Sequence, residues 1–286
     1  MTRKDESLGY EHEEQWLTNK DGLKIYTQVW LPRSEPKANL IIAHGLGDHS
    51  GRYGHVAEYF VEKGLAVFAL DHQGHGKSEG KRGHINSFSD FTDDLEQFRW
   101  QVTERSAEKR TLLFGHSMGG VIVMSYLLDY QHYIDAAVIS GPPIGIKMGP
   151  PTFIKEIVLQ LAKISPSLTV KNGIKPAWIS HDKNVVTAYK TDPLTHPHIS
   201  LSLFSGMYTA GKHIAAHAEK ISIPIFMLYG SSDKIIEGAI IDAVFDKLSS
   251  EDKKKMVFQN DYHEVHNEAD QLDEFDAVWA WLKTKW

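Results

Sequence analysis

The stretch TLLFGHSMGG, residues 111–120, decides the fold class because it joins two kinds of secondary structure at a serine. The apolar run at 112–114 predicts a short buried strand, and the apolar residues after the serine recur at helical spacing. Ser117 is therefore predicted on a sharp bend, with Gly115 and Gly119 two positions away on either side. Such a bend exposes the side-chain oxygen at the edge of a sheet, beside unpaired N–H groups of the helix.

The composition excludes several classes of protein. The chain has 286 residues, enough for a sizeable core, and its formal net charge of −6 argues against nucleic-acid binding. It has no cysteine, which excludes disulfides, a thiol nucleophile and cysteine-ligated metals. The opening stretch MTRKDESLGYEHEE lacks the apolar segment of a secretory signal, and no apolar run is long enough to span a membrane. The sequence thus predicts a soluble, cytoplasmic globular protein without a nucleic-acid partner.

Short apolar runs alternate with helical segments along most of the chain. The predicted strands are Leu23–Trp30, Leu40–Ala43, Ala66–Leu70, Thr111–Gly115, Ala136–Ile139, Ile223–Tyr229 and Lys255–Gln259. The predicted helices are Tyr53–Lys63, Asp90–Glu104, Met118–Asp129, Ala239–Leu248 and Glu268–Thr284. This alternation favours an α/β fold, a mostly parallel sheet covered by helices on both faces, with ligands bound at the carboxyl ends of the strands.

The alternation breaks at 145–217, a stretch with several prolines and no convincing strand. Pro150 and Pro151 suit the start of a helix. Apolar residues then recur along one helical face, namely Ile154, Ile157, Val158 and Leu161. We interpret 145–217 as a helical cap, or lid, inserted into a core formed by 1–144 and 218–286. The alternative is an ordinary pair of helices that cover the sheet.

Partners for the serine are predicted from later strand ends. A serine hydroxyl is a weak nucleophile and needs a base, an acid that orients the base, and donors for a developing oxyanion. In the inferred fold the acid and then the histidine follow the serine in the chain. Asp233 in IPIFMLYGSSD follows a strong strand, and His263 in KKMVFQNDYHEVHNE follows the last one. We therefore predict that Ser117, Asp233 and His263 form a catalytic triad.

The oxyanion donors are predicted from the same edge of the sheet. One N–H belongs to the residue after the nucleophile, Met118, and the second to the loop in LIIAHGLGDHSGRY, where Leu46 is the expected donor. His44 in that loop is expected to shape the turn through hydrogen bonds.

Two stretches imitate other kinds of site. Residues 74–78 would complete a phosphate-binding loop only with glycine at position 71, where Asp71 stands. In HEVHN, residues 263–267, the second histidine comes one position too early for a zinc-protease motif. His72 and His75 are interpreted as hydrogen-bonding residues. We expect no metal and no cofactor.

Several stretches together resemble the monoacylglycerol lipase branch of the α/β-hydrolases, which also holds lysophospholipases. They are HGLGDHSGRY, DHQGHGKSEGKRGHI, GHSMGG, YKTDPL, YGSSDKI and YHEVHNE, in family order between residues 40 and 268. Single motifs are shared with many α/β-hydrolases, whereas the combination is much more specific. The resemblance implies an α/β-hydrolase fold whose helical cap covers an acyl tunnel and can meet a membrane surface.

The resemblance also implies roles for individual residues. It assigns the triad and the oxyanion donors to the residues already named. It further implies that the residues near the polar end, where the glycerol headgroup leaves, are Arg52, Tyr189 and His266. Asp48 stands where relatives usually carry glutamate, which leaves the headgroup preference open. On the cap helix, Ile157 and Leu161 are expected to line the acyl entrance.

The leading interpretation is a serine hydrolase that frees a fatty acid and glycerol from monoacylglycerols through an acyl-enzyme. A lysophospholipase, a broad carboxylesterase and a related serine peptidase fit the same triad and stay open. A non-catalytic binding protein on this fold is disfavoured because all three triad members are present. An epoxide hydrolase is disfavoured because such relatives carry aspartate in place of Ser117. The oligomeric state is open.

Overall fold

The computed structural model describes residues 2–3, 9–106, 109–145, 147 and 152–285. Its strands are β1 (Thr2–Arg3), β2 (Tyr10–Thr18), β3 (Lys24–Pro32), β4 (Ala38–Ala43), β5 (Ala66–Leu70), β6 (Arg110–His116), β7 (Ala136–Ser140), β8 (Thr169–Lys171), β9 (His198–Ser200), β10 (Ile225–Gly230) and β11 (Lys253–Phe258). Its α-helices are α1 (Gly54–Glu62), α2 (Ser89–Arg105), α3 (Met118–Tyr130), α4 (Thr152–Ile164), α5 (Lys183–Thr191), α6 (Leu201–His217), α7 (Gly238–Lys247) and α8 (Gln271–Leu282).

Most of the strands form one large sheet, in the order β1-β2-β3-β5-β4-β6-β7-β10-β11. Neighbours from β5 to β11 in that order pair in parallel, whereas β1, β2 and β3 pair antiparallel. This arrangement confirms the predicted α/β-hydrolase fold class. Because β4 and β6 are parallel neighbours, the loops that follow them lie side by side at one edge of the sheet.

The two faces of the sheet hold separate halves of the core. Along β4, Leu40 and Ile42 point to one face, and Ile41 and Ala43 point to the other. Helices α1 and α8 cover the first face, and α2, α3, α6 and α7 cover the second. Burial on both faces explains why the central strands read as continuous apolar runs in the sequence.

The predicted strands and helices of the core are all present, with ends that differ by no more than three residues. Strand β2 is not predicted. Of its nine residues only Tyr10 and Leu17 are buried, and most of the others are polar. A strand beside the edge of a sheet needs few apolar residues, so its sequence carries little periodic signal.

Between β7 and β10 the chain leaves the sheet and forms α4, α5, α6 and a small antiparallel pair, β8 and β9. The expectation that this stretch has no strand is therefore wrong, since strands of three residues are too short to show alternation. Pro150 and Pro151 lie outside the described residues, and α4 begins at Thr152. The apolar face of α6 packs into the core, with Leu203 and Met207 buried. The division at 145–217 into cap and core stays a prediction.

Candidate active site

Ser117 occupies the turn between β6 and α3 in a conformation that L-residues rarely adopt, with φ 52° and ψ −122°. Two neighbouring glycines make this turn possible. A Cβ atom on Gly119 would lie 2.0 Å from the carbonyl oxygen of Ala43, and one on Gly115 would lie 2.6 Å from that of Gly119. Strand, helix and neighbouring strand therefore touch through bare backbone, which holds the serine at the carboxyl edge of the sheet.

The structure brings Ser117, His263 and Asp233 into one hydrogen-bonded chain. Nε2 of His263 lies 2.8 Å from Oγ of Ser117, and Nδ1 lies 2.7 Å from Oδ2 of Asp233. The other oxygen of Asp233 accepts from the main-chain N–H groups of Ile235 at 2.7 Å and Ile236 at 3.2 Å. Because an ionised carboxylate only accepts, Nδ1 donates to it and Nε2 is free to accept the serine proton.

The pKa of His263 lies above its ordinary value. Burial acts to lower this pKa, but the attraction and hydrogen bond of the Asp233 carboxylate outweigh burial, with smaller contributions from Glu264 and Asp48. The adjacent imidazole of His116 has its ring centroid 4.9 Å from that of His263. Burial, followed by repulsion from His263, lowers the pKa of His116 well below its usual value. His116 is therefore neutral, and His263 is the ring that gains a proton.

The loop after β4 lies directly beside the serine. A Cβ atom on Gly45 would lie 3.3 Å from Cβ of Ser117, and Leu46 lines the space in front of the hydroxyl. His44 supports the loop from behind. Its Nδ1 donates to the carbonyl oxygen of Gly45 at 2.8 Å, and its Nε2 accepts from the main-chain N–H of His72 at 2.9 Å. His44 thus shapes the turn through hydrogen bonds.

On the other chain segment next to the serine, Met118 is the first residue of α3. Its N–H is one of the helix N-terminal donors that have no acceptor within the helix. The N–H groups of Met118 and Leu46 stay the predicted oxyanion donors.

An apolar cavity of about 390 Å³ extends from Ser117. Its aliphatic and aromatic lining includes Leu46, Val158, Leu161, Leu168, Val170, Ile174, Ile199, Leu201, Phe204, Met207 and Ile235. Leu161 on α4 belongs to this wall, whereas Ile157 does not and is 53% exposed. The expectation for Ile157 is corrected, because the apolar face of α4 is wider than the strip that borders the cavity.

A second cavity at Ser117, of about 20 Å³, is lined by both polar and apolar residues. Its lining includes Asp48, Tyr189 and Glu264 together with His263. The space is sufficient for about one water molecule. Two of the residues expected near the headgroup, Asp48 and Tyr189, therefore lie close to the serine.

Arg52 is held in a buried ion network. Its guanidinium donates to Oδ1 of Asp48 at 2.9 Å and to the two carboxylate oxygens of Glu264 at 2.9 and 2.6 Å. The ring of Tyr189 covers the guanidinium, with 4.9 Å between Cζ and the ring centroid. Burial acts to raise the pKa of Asp48, but Arg52 holds it far below its usual range, so this carboxylate is ionised. Arg52 lines neither cavity at Ser117 but is bonded to Asp48 and Glu264, which line the smaller one, so its place near the headgroup stays a prediction.

Glu264 is the member of this network that the sequence analysis does not single out. Its position directly after the predicted base in YHEVHNE is the signal that could have found it. The position of Glu264 in the sequence does not specify the direction in which its side chain points. The sequence alone therefore does not predict that this carboxylate contacts Arg52.

His266 is completely buried and lines neither of these cavities. Its ring stacks on Tyr53 at 5.1 Å between centroids and meets His116 edge-on at 4.6 Å. Burial, followed by repulsion from His116 and His55, lowers its pKa well below the usual value. The expectation that His266 faces the headgroup is therefore corrected. The chain turns at 265–267 so that the ring packs under the base loop.

The described parts of the chain contain neither a candidate metal site nor a candidate membrane-spanning helix. No cluster of three or more histidine, aspartate or glutamate side chains there is arranged to hold a metal ion. No helix there is long and apolar enough to cross a bilayer.

The chain is similar over most of its length to known hydrolases. A family model described as serine aminopeptidase, S33, matches residues 34–270. A monoacylglycerol lipase of Mycolicibacterium smegmatis is 36% identical over 265 residues, which cover 91% of this chain and 93% of that protein. The monoglyceride lipase of Homo sapiens is 27% identical over 273 residues, covering 94% of this chain and 90% of that protein.

The similarity to monoacylglycerol lipases extends to a solved structure. The monoacylglycerol lipase of Paleococcus ferrophilus superposes with a TM-score of 0.85 at 30% identity, covering 92% of this chain and 99% of that one. The family model spans most of the chain, and the similarity to these relatives extends over nearly their full length. The chain belongs to the serine aminopeptidase S33 family of hydrolases, within the monoacylglycerol lipase branch of the α/β-hydrolase superfamily.

Proposed function

We propose that this protein is a serine hydrolase that cleaves monoacylglycerols to a free fatty acid and glycerol. The observation that carries the proposal is the hydrogen-bonded chain from Asp233 through His263 to Ser117, at 2.7 and 2.8 Å, because Ser117 also lines an apolar cavity. A hydroxyl paired with a buried base is an activated nucleophile. An apolar cavity of about 390 Å³ suits a fatty acyl chain.

The reaction proceeds in two halves. Oγ of Ser117 attacks the ester carbonyl carbon while Nε2 of His263 takes the hydroxyl proton, and Asp233 stabilises the imidazolium. The oxyanion is held by the N–H groups of Leu46 and Met118. When the tetrahedral intermediate collapses, His263 returns the proton to the glycerol oxygen and an acyl-serine remains. Water then attacks that ester by the same steps, giving the fatty acid and the free serine.

The charges near the serine favour a neutral headgroup over a phosphate. The lining of the small cavity includes Asp48 and Glu264, and the guanidinium of Arg52 is bonded to the carboxylates of both. A lysophospholipid phosphate placed there would lie beside two carboxylates whose shared cation is already bonded to both of them. Glycerol hydroxyls, in contrast, can donate to Asp48 and meet the hydroxyl of Tyr189. We assign Asp48 and Tyr189 to the headgroup on this basis.

Glycerol needs more room than about 20 Å³, so part of the wall must shift when substrate binds. The wall includes Ile174, Ile179 and Tyr189, all from the segment between β7 and β10. We propose that this segment acts as a cap that opens over the site.

We further propose that the cap meets a lipid surface and that the protein works in the cytoplasm. Exposed apolar side chains are concentrated on α4 and the chain that follows it, namely Ile157, Leu161, Ile164, Leu168 and Val170. A group of exposed apolar side chains beside an acyl cavity suits contact with a membrane. The absence of cysteine agrees with a reducing compartment.

The test is a hydrolysis panel of monoacylglycerols, lysophospholipids, short p-nitrophenyl esters, aminopeptidase substrates and triacylglycerols, with Ser117→Ala as the blank. We expect the highest kcat/KM for a long-chain monoacylglycerol. A higher value for a lysophospholipid would replace the proposal with a lysophospholipase. Hydrolysis of short esters alone would make the protein a carboxylesterase. No turnover together with no labelling of Ser117 by a fluorophosphonate probe would support a non-catalytic protein.

A further inference from the structure

We propose that Glu264 is a positioning residue of the catalytic site. Through Arg52 it ties the loop that carries the base to the loop that carries an oxyanion donor. The inference rests on the proposed function only in requiring that Ser117 and His263 react with an ester. It does not depend on which headgroup the ester carries.

The first step of the argument is where Arg52 lies. One side of its guanidinium meets Asp48, two residues after Leu46 in the loop after β4. The other side makes a two-pronged contact with Glu264, the residue directly after His263. A planar guanidinium that binds a carboxylate through two bonds fixes orientation as well as distance. The base and an oxyanion donor are thus joined by a rigid bridge.

The second step is how Glu264 itself is held. Its main-chain N–H donates to the carbonyl oxygen of Ile179 at 2.8 Å. Its side chain also accepts from Nδ2 of Asn267 at 2.8 Å. With Arg52 in place, both the backbone and the carboxylate of Glu264 are fixed, so the adjoining His263 has little freedom to turn away from Ser117.

The third step is that stability alone is a poor explanation for the network. Exposed fractions of the side chains are 5% for Glu264, 4% for Asp48 and 11% for Arg52. Taking such charges out of water costs about as much as their attraction returns, and apolar replacements of the same volume are often neutral or stabilising. Its location between the two catalytic loops is instead what a positioning role requires.

The test compares Glu264→Gln and Glu264→Ala with wild type on a short p-nitrophenyl ester and on a monoacylglycerol. A misplacement of about 1 Å costs on the order of 10²-fold in rate. We therefore expect kcat to fall roughly 10- to 100-fold on both substrates in Glu264→Ala, with KM changed less than about twofold. Glu264→Gln keeps the shape and one acceptor, so it should recover part of the loss.

A matched control is Glu274→Gln in α8, where the carboxylate is completely buried and neither oxygen has a hydrogen-bond partner. It makes the same chemical change in a buried glutamate away from the site, and kcat should stay at the wild-type value. Thermal unfolding of each variant shows that the fold is retained.

The pH dependence of kcat/KM gives a second measurement, because a purely structural role of Glu264 would not shift the acid limb of this profile. The groups that face His263 are the carboxylates of Asp233, Glu264 and Asp48 and the neutral ring of His116. Removing the negative charge of Glu264 makes the imidazolium less favourable, so the limb should move to lower pH in Glu264→Gln.

Three results would overturn the proposal. The first is an unchanged kcat in Glu264→Ala. The second is a loss confined to KM for the monoacylglycerol, which would make Glu264 a headgroup contact. The third is an additive loss of kcat in the double variant Arg52→Gln with Glu264→Gln. If the two residues act as one bridge, the double variant should lose no more activity than the worse single variant.

If Glu264→Ala does not fold, Glu264→Gln decides by the same criteria. If the protein does not hydrolyse monoacylglycerols, the proposed function fails while the p-nitrophenyl ester still tests Glu264.

Discussion

The ring of His266 meets the ring of His116 edge-on, with 4.6 Å between their centroids, and His116 in turn lies 4.9 Å from His263. Tyr53 stacks on His266 and also lies 6.5 Å from His116 between ring centroids. The catalytic base therefore packs against a buried cluster of aromatic rings. Replacing one of these rings should therefore weaken the packing that supports His263.

We expect His266→Ala to destabilise the protein and to leave its substrate preference unchanged. Removing a fully buried ring leaves a cavity, and comparable truncations cost about 2–5 kcal/mol. Thermal unfolding measures the loss, and kcat/KM on a monoacylglycerol and a p-nitrophenyl ester should fall by the same factor. His266→Phe, which keeps a ring, is the control and should lose less stability. A normal melting temperature together with a raised KM for the monoacylglycerol alone would restore a headgroup role for His266.

We expect Ser117→Ala and Ser117→Gly both to lose activity, by about 10⁶ in kcat by analogy with other serine triads. Their stabilities should differ in an unusual direction. Since φ at this position is 52°, a side chain strains the backbone, and glycine should be more stable than alanine by about 1 kcal/mol. Denaturant unfolding of the two variants gives the difference. If the alanine variant is the more stable, the turn is not strained.

We expect Leu161→Ser to reduce activity on long acyl chains more than on short ones. Leu161 lines the apolar cavity, and each methylene that loses apolar contact costs about 0.8 kcal/mol, or about fourfold in kcat/KM. Monomeric C4 and C12 esters measure the effect. Ile157→Ser on the same helix is the matched control, because Ile157 does not line the cavity and its change should leave the C12 to C4 ratio intact. Equal losses on both esters in Leu161→Ser would mean that α4 only supports the fold.

We expect turnover to survive exhaustive dialysis against EDTA. In the proposed mechanism the oxyanion is held by backbone N–H groups, so no step uses a metal ion. The check is kcat before and after dialysis. Activity that disappears and returns with zinc or calcium would show that this assignment of the chemistry is wrong.

We expect Glu274→Gln to stabilise the protein, and more so at pH 8 than at pH 5. Burial, followed by repulsion from Asp261, raises the pKa of Glu274 well above its usual value. The folded state keeps this carboxyl protonated at a pH where the unfolded chain ionises it, so stability is lost as pH rises. The loss is about 1.4 kcal/mol per pH unit until the folded pKa is reached. Denaturant unfolding at both pH values measures it, with exposed Glu251→Gln as the control. A gain that does not grow with pH would contradict the reasoning.

The sequence predicts most of the fold because the central strands are buried on both faces. Runs such as residues 40–43 and 112–114 are continuously apolar, as is typical of strands buried on both faces. The apolar pattern does not predict strands whose formation depends on neighbouring strands more than on their own sequence. Strand β2 forms because β3 offers it hydrogen bonds, and β8 and β9 are too short to leave a pattern.

The same limit applies at the candidate site. Ser117, Asp233 and His263 could be placed together because each follows a strand whose end the fold brings to one edge. The environments of Arg52, Glu264 and His266 depend instead on how side chains turn within loops. The spacing of residues along the chain does not specify the direction in which a loop side chain points. The same sequence is therefore compatible with a buried His266 ring and with a His266 ring that contacts the headgroup.

The close contact of Gly119 with Ala43 has a consequence for how such a site can vary over evolution. At the start of the helix that carries Met118, Gly119 meets the backbone of Ala43 and His44, directly before the loop that carries Leu46, and no side chain lies at this contact. The N–H group of Leu46 would therefore keep its place when its side chain, which lines the apolar cavity, is replaced. Acyl specificity can drift at position 46, whereas the side chain of Met118 is buried in the core, and a methyl group at position 119 would force the strand and the helix apart.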